Sequence, residues 1–501
     1  MTTAYDRLLE RVHELDDLGK AAALLSWDRE VNMPPAGDAI RIQQMATLGR
    51  LIHERFTSDE MGVLIERAAE ELDGADYDGI EASLIRHLDY SYDRARRLPA
   101  EFVTRSSLIS GQAHTVWVKA REDDDFASFQ PWLAQIIALA QEMAELIGYE
   151  DEPYDALLDR YERDMRTASV RETFRATREA LTPLLQAITE RGRPLDDALL
   201  RQPFDIAQQQ AFARTIATAA GYDFARGHLG TAVHPFATSL SRNDARITTR
   251  WYPDLLNASL FGTLHESGHA IYEQGTHADL ARTPLARGAS MGIHESQSRL
   301  FENMIGRSRG FWEAHFPALQ AHFPDQLGAV SLQAFYEAIN VVRPSFIRVE
   351  ADELTYVLHI VLRFELEQAM LHGELAAADV RDAWNERTWA LLGLRPPTDR
   401  EGVLQDIHWT RPSFGYFPTY ALGNLYAAQF LEAATAQRPA VATDLAAGQT
   451  GELLDWLRVN IHAHGRKFLP SELVERATGR PLDHHAFVRY ATTKFGEVYA
   501  L

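Results

Sequence analysis

No cysteine occurs anywhere in the 501 residues. Disulfides and thiolate nucleophiles are thereby excluded, and any metal ion must be held by His, Asp or Glu. Long apolar runs are missing too. No window approaches the roughly 18 apolar residues of a membrane span, so no membrane partner is expected. Basic residues are the minority, 50 Lys and Arg against 71 Asp and Glu, for a net charge of −21. So acidic a chain lacks the surface that releases counterions from a phosphate backbone, and no nucleic-acid partner is expected. Residues 1–25 carry acidic groups throughout and no apolar core with a small-residue cleavage site. That segment does not read as a signal peptide, and a cytoplasmic location is the expectation.

What is present is the composition of an ordinary globular protein, 46% hydrophobic and 10% aromatic. Most of it reads as helix. Leu8, Leu9, Val12, Leu15, Leu18, Ala22 and Leu25 recur at steps of three and four, which places them on one stripe. Pro34-Pro35 ends that unit. Similar periodicity predicts helices over 38–56, 58–73, 79–97, 130–148, 355–375, 377–393 and 420–437, with more amphipathic helix in the tail 452–501. Prolines fall mostly between these stretches. One segment departs from the pattern. From Asp244 to Trp251, β-branched and apolar residues mix with polar ones as in a half-buried strand. Such a strand either offers an edge to an extended peptide or merely packs a helix.

The chemistry-bearing motif is His265-Glu266-Ser267-Gly268-His269. Residues four apart on a helix lie about 40° apart around the axis, so both imidazoles can reach one ion. Glu266 sits beside the first ligand, placed to take a proton from a water on the metal rather than to bind the metal itself. Gly268 inside the helix costs about 1 kcal/mol of propensity and marks a crowded spot that a side chain would block. A catalytic ion wants a third protein ligand and one open position. The metzincin arrangement needs glycine and histidine where this chain has Tyr272 and Gly275, so that class is excluded. His277, Asp279, His294, Glu295 and Glu302 remain as candidates. Residues 293–306 form a second amphipathic helix, and Glu295 in its first turn is the preferred third ligand. The competing reading of Glu295 is an ordinary carboxylate favoured by the helix dipole.

With these residues in view, the chain resembles the carboxypeptidase Taq family of metallocarboxypeptidases. Six segments match family motifs in the family's order. They are His234-Pro235-Phe236; Asp244, Arg246 and Thr248; the His265–His269 motif; His294-Glu295-Ser296-Gln297; Ile347-Arg348 with Ala351-Asp352-Glu353 and Tyr356; and Gly402 with Gln405-Asp406 and His408-Trp409. The similarity runs from Ser26-Trp27-Asp28 to Lys494–Tyr499. The resemblance implies one mainly α-helical metallocarboxypeptidase unit over 1–501, with a deep central groove between two halves as in the neurolysin and angiotensin-converting-enzyme-like peptidases. Residues 1–150 would roof the groove, and 230–430 would carry the catalytic motifs, with a short strand or small sheet near the metal helix. It further implies release of single residues from peptide C-termini with broad specificity, one zinc or cobalt ion per chain, and a homodimer. Carried over by position, the metal ligands are His265, His269 and Glu295, and Glu266 is the base.

A carboxypeptidase must also bind a free carboxylate, for which arginine gives a two-bond clamp. Arg348 leads, Arg246 and Arg411 follow, and Gln405 and Asp352 join the substrate-binding candidates. Hydrolysis builds an oxyanion, and His408 with Tyr416 or Tyr420 are the expected donors. An endo-oligopeptidase or dipeptidase on the same scaffold is the alternative activity.

Overall fold

The computed structural model describes residues 3–501 and is mainly α-helical with one three-stranded sheet. The first helix, Ala4–Val31, opens on a reciprocal cap in which Thr3 and Asp6 each bond the other's backbone amide. It ends just before Met33-Pro34-Pro35, where proline lacks the amide to continue. Of its expected stripe, Leu8 and Val12 are fully buried in a cluster with Met61, Leu64, Leu84, Leu88, Leu280 and Leu285, and Leu9 and Leu15 pack against it. Helices Asp38–Phe56, Asp59–Glu71, Ile80–Arg97 and Phe126–Ile147 follow where periodicity places them. Pro131 and Pro183 differ from the expectation, lying inside helices Phe126–Ile147 and Thr167–Arg191 rather than between them. The tail is three helices, Gly451–Asn460, Pro470–Thr478 and His485–Tyr499.

The expected strand is β3, Asp244–Thr249, and it has two partners. β1, Gly227–Thr231, pairs with it in parallel, and β2, Ala237–Ser241, pairs antiparallel on its other side. β3 is thus the central strand, so an extended peptide could add only to β1 or β2. Neither outer strand carries an apolar run, which is why neither stands out in the sequence. Ala245, Ile247 and Thr249 are buried at alternate positions of β3, and Thr249 Oγ1 donates to the Ser259 carbonyl of the following helix at 3.4 Å. Thr248 binds the His234-Pro235-Phe236 loop: its hydroxyl accepts from the Phe236 amide at 2.9 Å, and its own amide donates to the Phe236 carbonyl at 3.0 Å. Two of the sequence motifs are therefore one hydrogen-bonded element.

By internal packing the chain divides into two compact units, each discontinuous in sequence. The first comprises Met1–Ala95, Leu195–Ile339 and Tyr426–Leu482, and contains the sheet and the helix with the paired histidines. The second comprises Arg96–Pro194, Asn340–Leu425 and Asp483–Leu501. Within it runs Thr355–Leu371, a helix buried on almost every side. Among the described residues, no helix is long and apolar enough to cross a membrane.

Thr248→Val tests the pinned loop. Leaving the Phe236 amide without its acceptor costs about 1–3 kcal/mol. Hydrogen exchange at residue 236 is expected to quicken by about an order of magnitude, with protection of the helices unchanged.

Candidate metal centre

In the first unit, His265 and His269 lie on helix Leu256–Gly275, which begins a few residues after β3. A second helix, Met291–Arg299, packs against it, capped by Ser290 through a 3.0 Å bond from the Ile293 amide. The two helices touch at backbone distance. A Cβ built on Gly268 would lie 2.4 Å from the Gln297 carbonyl oxygen and 2.7 Å from Ser298 Cα. This contact explains the glycine inside the motif. It brings Glu295 Oε2 to 3.7 Å from His265 Nε2 and 3.5 Å from His269 Nε2. Ligands at roughly 2.0–2.2 Å around a tetrahedral ion stand about 3.4 Å from one another. The three donors therefore fit one divalent ion.

The opposite ring nitrogens are equally constrained. His265 Nδ1 lies 2.8 Å from Glu302 Oε2. His269 Nδ1 donates to the His294 carbonyl at 3.1 Å and lies 2.6 Å from His294 Nδ1. His294 Nε2 in turn donates to Glu273 Oε1 at 2.9 Å. Hydrogen on Nδ1 of both paired histidines satisfies Glu302 and the His294 carbonyl and turns both Nε2 lone pairs toward Glu295, an arrangement that calls for a cation between them. Glu302 reaches His265 from a π-helical turn, Leu300–Ile305, that prolongs the second helix. Of the sequence candidates, His294 and Glu302 thus stand behind the three converging donors rather than among them. His277 and Asp279 are exposed and bond within their own turn.

Electrostatics separate the carboxylates. Burial works against ionisation of Glu295, but Arg299, His265 and His269 outweigh it and hold the group well below the usual carboxylate range. Burial brings His269 down to about 4, so its imidazole is neutral and able to ligate. His265 is raised instead, because Glu295 and Glu302 overcome the opposing effect of burial; a dication's charge reverses that balance. Glu266 is 6% exposed, and burial pushes its carboxyl up to about 7. Its Oε2 has no hydrogen-bond partner among the described residues. A buried carboxyl oxygen left unpartnered beside converging donors is suited to a water molecule.

The second unit gathers another set of candidates around Asp406. Oδ1 accepts from Arg348 Nε at 3.1 Å and Nη2 at 2.8 Å, and Oδ2 accepts from Arg363 Nε at 2.7 Å. These two guanidiniums hold Asp406 well below the usual carboxylate range against burial. Arg348 also donates to Tyr356 Oη at 3.0 Å and stacks over Tyr420. His408 Nε2 lies 3.2 Å from Tyr420 Oη, and the Tyr416 and Tyr420 rings meet edge to face. Burial brings His408 down to about 3, so it is a neutral imidazole. Gln405 is spent on the scaffold: Oε1 accepts from the Arg348 amide and Arg363 Nη2, while Nε2 donates to the Phe346, Glu401 and Gly402 carbonyls. Asp352 is similarly occupied, accepting from the amides of Arg343, Leu354 and Thr355 and from the Thr355 hydroxyl. Arg246, in the first unit, is held by both oxygens of Asp244 at 2.8 Å and lies over Trp27. Arg411 is exposed.

The carboxypeptidase Taq (M32) metallopeptidase family model matches residues 7–495. The chain belongs to that family. It is 42% identical to thermostable carboxypeptidase 1 of Thermus thermophilus, over 99% of both chains. Carboxypeptidase 1 of Bacillus subtilis is 37% identical over 99% of this chain and 98% of its own. The crystal structure of the M32 carboxypeptidase of Deinococcus radiodurans superposes with a TM-score of 0.96 at 40% identity, covering 99% of this chain and all of that one. The protein is accordingly a peptide hydrolase, a metallocarboxypeptidase dependent on a divalent metal ion.

Sequence reasoning overlooked Arg363 and Glu367 in this M32 carboxypeptidase. Glu367 accepts from Tyr154 Oη at 2.7 Å, Trp409 Nε1 at 3.0 Å and the Gly415 amide at 3.1 Å. A signal was available. His359, Arg363 and Glu367 recur every four residues in a largely apolar helix, so they share one polar stripe on an element too hydrophobic to face water.

Gly268→Ala tests the helix contact at the metal centre. The methyl must displace the Gln297 carbonyl, at a cost of about 1–3 kcal/mol. The variant is expected to melt earlier and to retain less metal after dialysis, as measured by elemental analysis.

Proposed function

We propose that this enzyme removes single residues from the C-termini of peptides with broad specificity, using one zinc ion on His265, His269 and Glu295 and Glu266 as the general base. What supports the reading is the convergence of three donors beside one buried carboxylate with an unpartnered oxygen. An oxygen and nitrogen donor set without thiolate suits zinc and also accepts cobalt. A divalent ion held there supplies Lewis-acid polarisation of the scissile carbonyl and makes a water more acidic.

The remaining steps belong to the chain. Glu266 takes a proton from the attacking water and delivers it to the leaving amine, a role for which its raised proton affinity fits. His408, neutral, and Tyr420 or Tyr416 donate hydrogen bonds to the developing oxyanion. Arg348 binds the terminal carboxylate of the substrate. Two of its nitrogens are directed by Asp406 and a third by Tyr356, so the guanidinium plane is fixed before substrate arrives. Gln405 and Asp352 serve substrate binding through the backbone that carries Arg348, and Arg246 is a second candidate for the carboxylate. A homodimer and a cytoplasmic location complete the reading, on the strength of the family resemblance.

Glu266→Gln is expected to keep its metal and lose about 10²–10⁴-fold in kcat. Activity within a few-fold of wild type, with metal content equal, would remove Glu266 from the role of base. Arg348→Ala separates exo- from endo-cleavage. Losing a charge-assisted pair costs ~2–5 kcal/mol, so cleavage of a free-acid peptide should collapse while the poor cleavage of its C-terminal amide hardly changes. Equal cleavage of acid and amide by the wild type would instead identify an endopeptidase. An acid preference that survives Arg348→Ala would move the clamp to Arg246 or Arg411.

A further inference from the structure

The two oxygens of Glu295 have different partners. Oε2 lies near Nε2 of both paired histidines and accepts from Ser298 Oγ at 3.2 Å. Oε1 accepts a 2.7 Å bond from Nε of Arg299, one helical turn further on. The same guanidinium reaches a second carboxylate, its Nη1 donating at 3.1 Å to Glu302 Oε2. That oxygen is the one 2.8 Å from His265 Nδ1. The Arg299 side chain is only 12% exposed, so neither bond is diluted by bulk solvent.

We propose that Arg299 is a positioning residue that holds Glu295 to the ion through one oxygen only and, through Glu302, keeps the His265 ring turned with Nε2 toward the ion. The inference rests on the ligand set His265, His269 and Glu295. A carboxylate beside a dication can bind through one oxygen or both, and a second oxygen takes the position a water or substrate carbonyl needs. Arg299 occupies Oε1 with a charged hydrogen bond and so opposes that rotation. Placing a cation near a metal site costs affinity by repulsion, yet here it faces two carboxylates that would otherwise repel one another at close quarters. Its net effect is to keep the donors in place before the ion arrives. Partners of this kind behind metal ligands are worth about 10–100-fold in metal affinity.

The test uses full-length protein stripped of metal and titrated with Co²⁺, whose visible absorption weakens as coordination rises from four to five. Affinity is read by competition with a chelator, and folding by circular dichroism. Arg299→Gln is expected to bind Co²⁺ about 10–100-fold more weakly, with a weaker visible band because Glu295 now contributes both oxygens. Arg299→Lys keeps the charge but cannot bridge both carboxylates, so affinity should recover in part while the band stays weak. Glu302→Gln should lower affinity with the band unchanged, because only the His265 support is touched. Wild-type affinity and band in Arg299→Gln would overturn the proposal, and so would lost affinity with an unaltered band. If Arg299→Gln does not fold, wild-type behaviour of both Arg299→Lys and Glu302→Gln overturns it equally. Glu295→Ala serves as the control for the ligand set: Co²⁺ binding as tight as wild type there would sink that reading itself.

Discussion

The candidate metal centre depends on one contact, the backbone approach of two helices at Gly268. Without a side chain at that position, the Gln297 carbonyl and Ser298 Cα can come within the distance a methyl group would occupy. Everything else in the centre is measured from there. Glu295 reaches the Nε2 atoms from the second helix, Glu302 reaches the Nδ1 of His265 seven residues further on, and the His294 carbonyl meets the Nδ1 of His269. A wider separation would break all three sets together, since each spans the same interface. Glycine in mid-helix is unfavourable by itself, and here it permits the close helix contact that a side chain would block.

That interface concentrates charge in a buried volume. Glu266, Glu295 and Glu302 lie close together with little solvent to screen them. The environment divides them by charge state. Glu295 and Glu302 each have Arg299 and an imidazole and stay ionised, whereas Glu266 has no hydrogen bond at Oε2 and is the one whose proton affinity rises. Groups of one chemical type thus differ in proton affinity according to their partners.

The second unit applies the same logic with opposite sign. Two buried guanidiniums, Arg348 and Arg363, share Asp406 as counter-ion, and Gln405 bonds both the Arg348 backbone and the Arg363 side chain. Asp352 secures the start of helix Thr355–Leu371 that carries Arg363. Removing any one partner would leave a charge or dipole unsatisfied in a site that excludes water, which is why these residues form a cooperative network.

Much of this was legible in the chain itself. Three- and four-residue apolar periodicity located the helices, the four-residue spacing of His265 and His269 put two imidazoles on one helix face, and the absence of cysteine limited any donors to nitrogen and oxygen. These are properties of local backbone geometry and of side-chain chemistry, which sequence states directly. The outer strands β1 and β2 were not legible, because short polar strands acquire their identity only from the partner across the ladder. The stripe of His359, Arg363 and Glu367 is visible as a spacing, but its partners Gln405, Asp406, Trp409 and Gly415 arrive from a distant segment, and no local pattern names them. Glu295 and Glu302 are both acidic residues on one amphipathic stretch. By itself the sequence determined that one face of a helix could bind a metal and which residue types could complete it. Only the tertiary structure decided which carboxylate meets the Nε2 atoms and which meets Nδ1. That choice is set by the distance and rotation between two helices, and no local pattern encodes them.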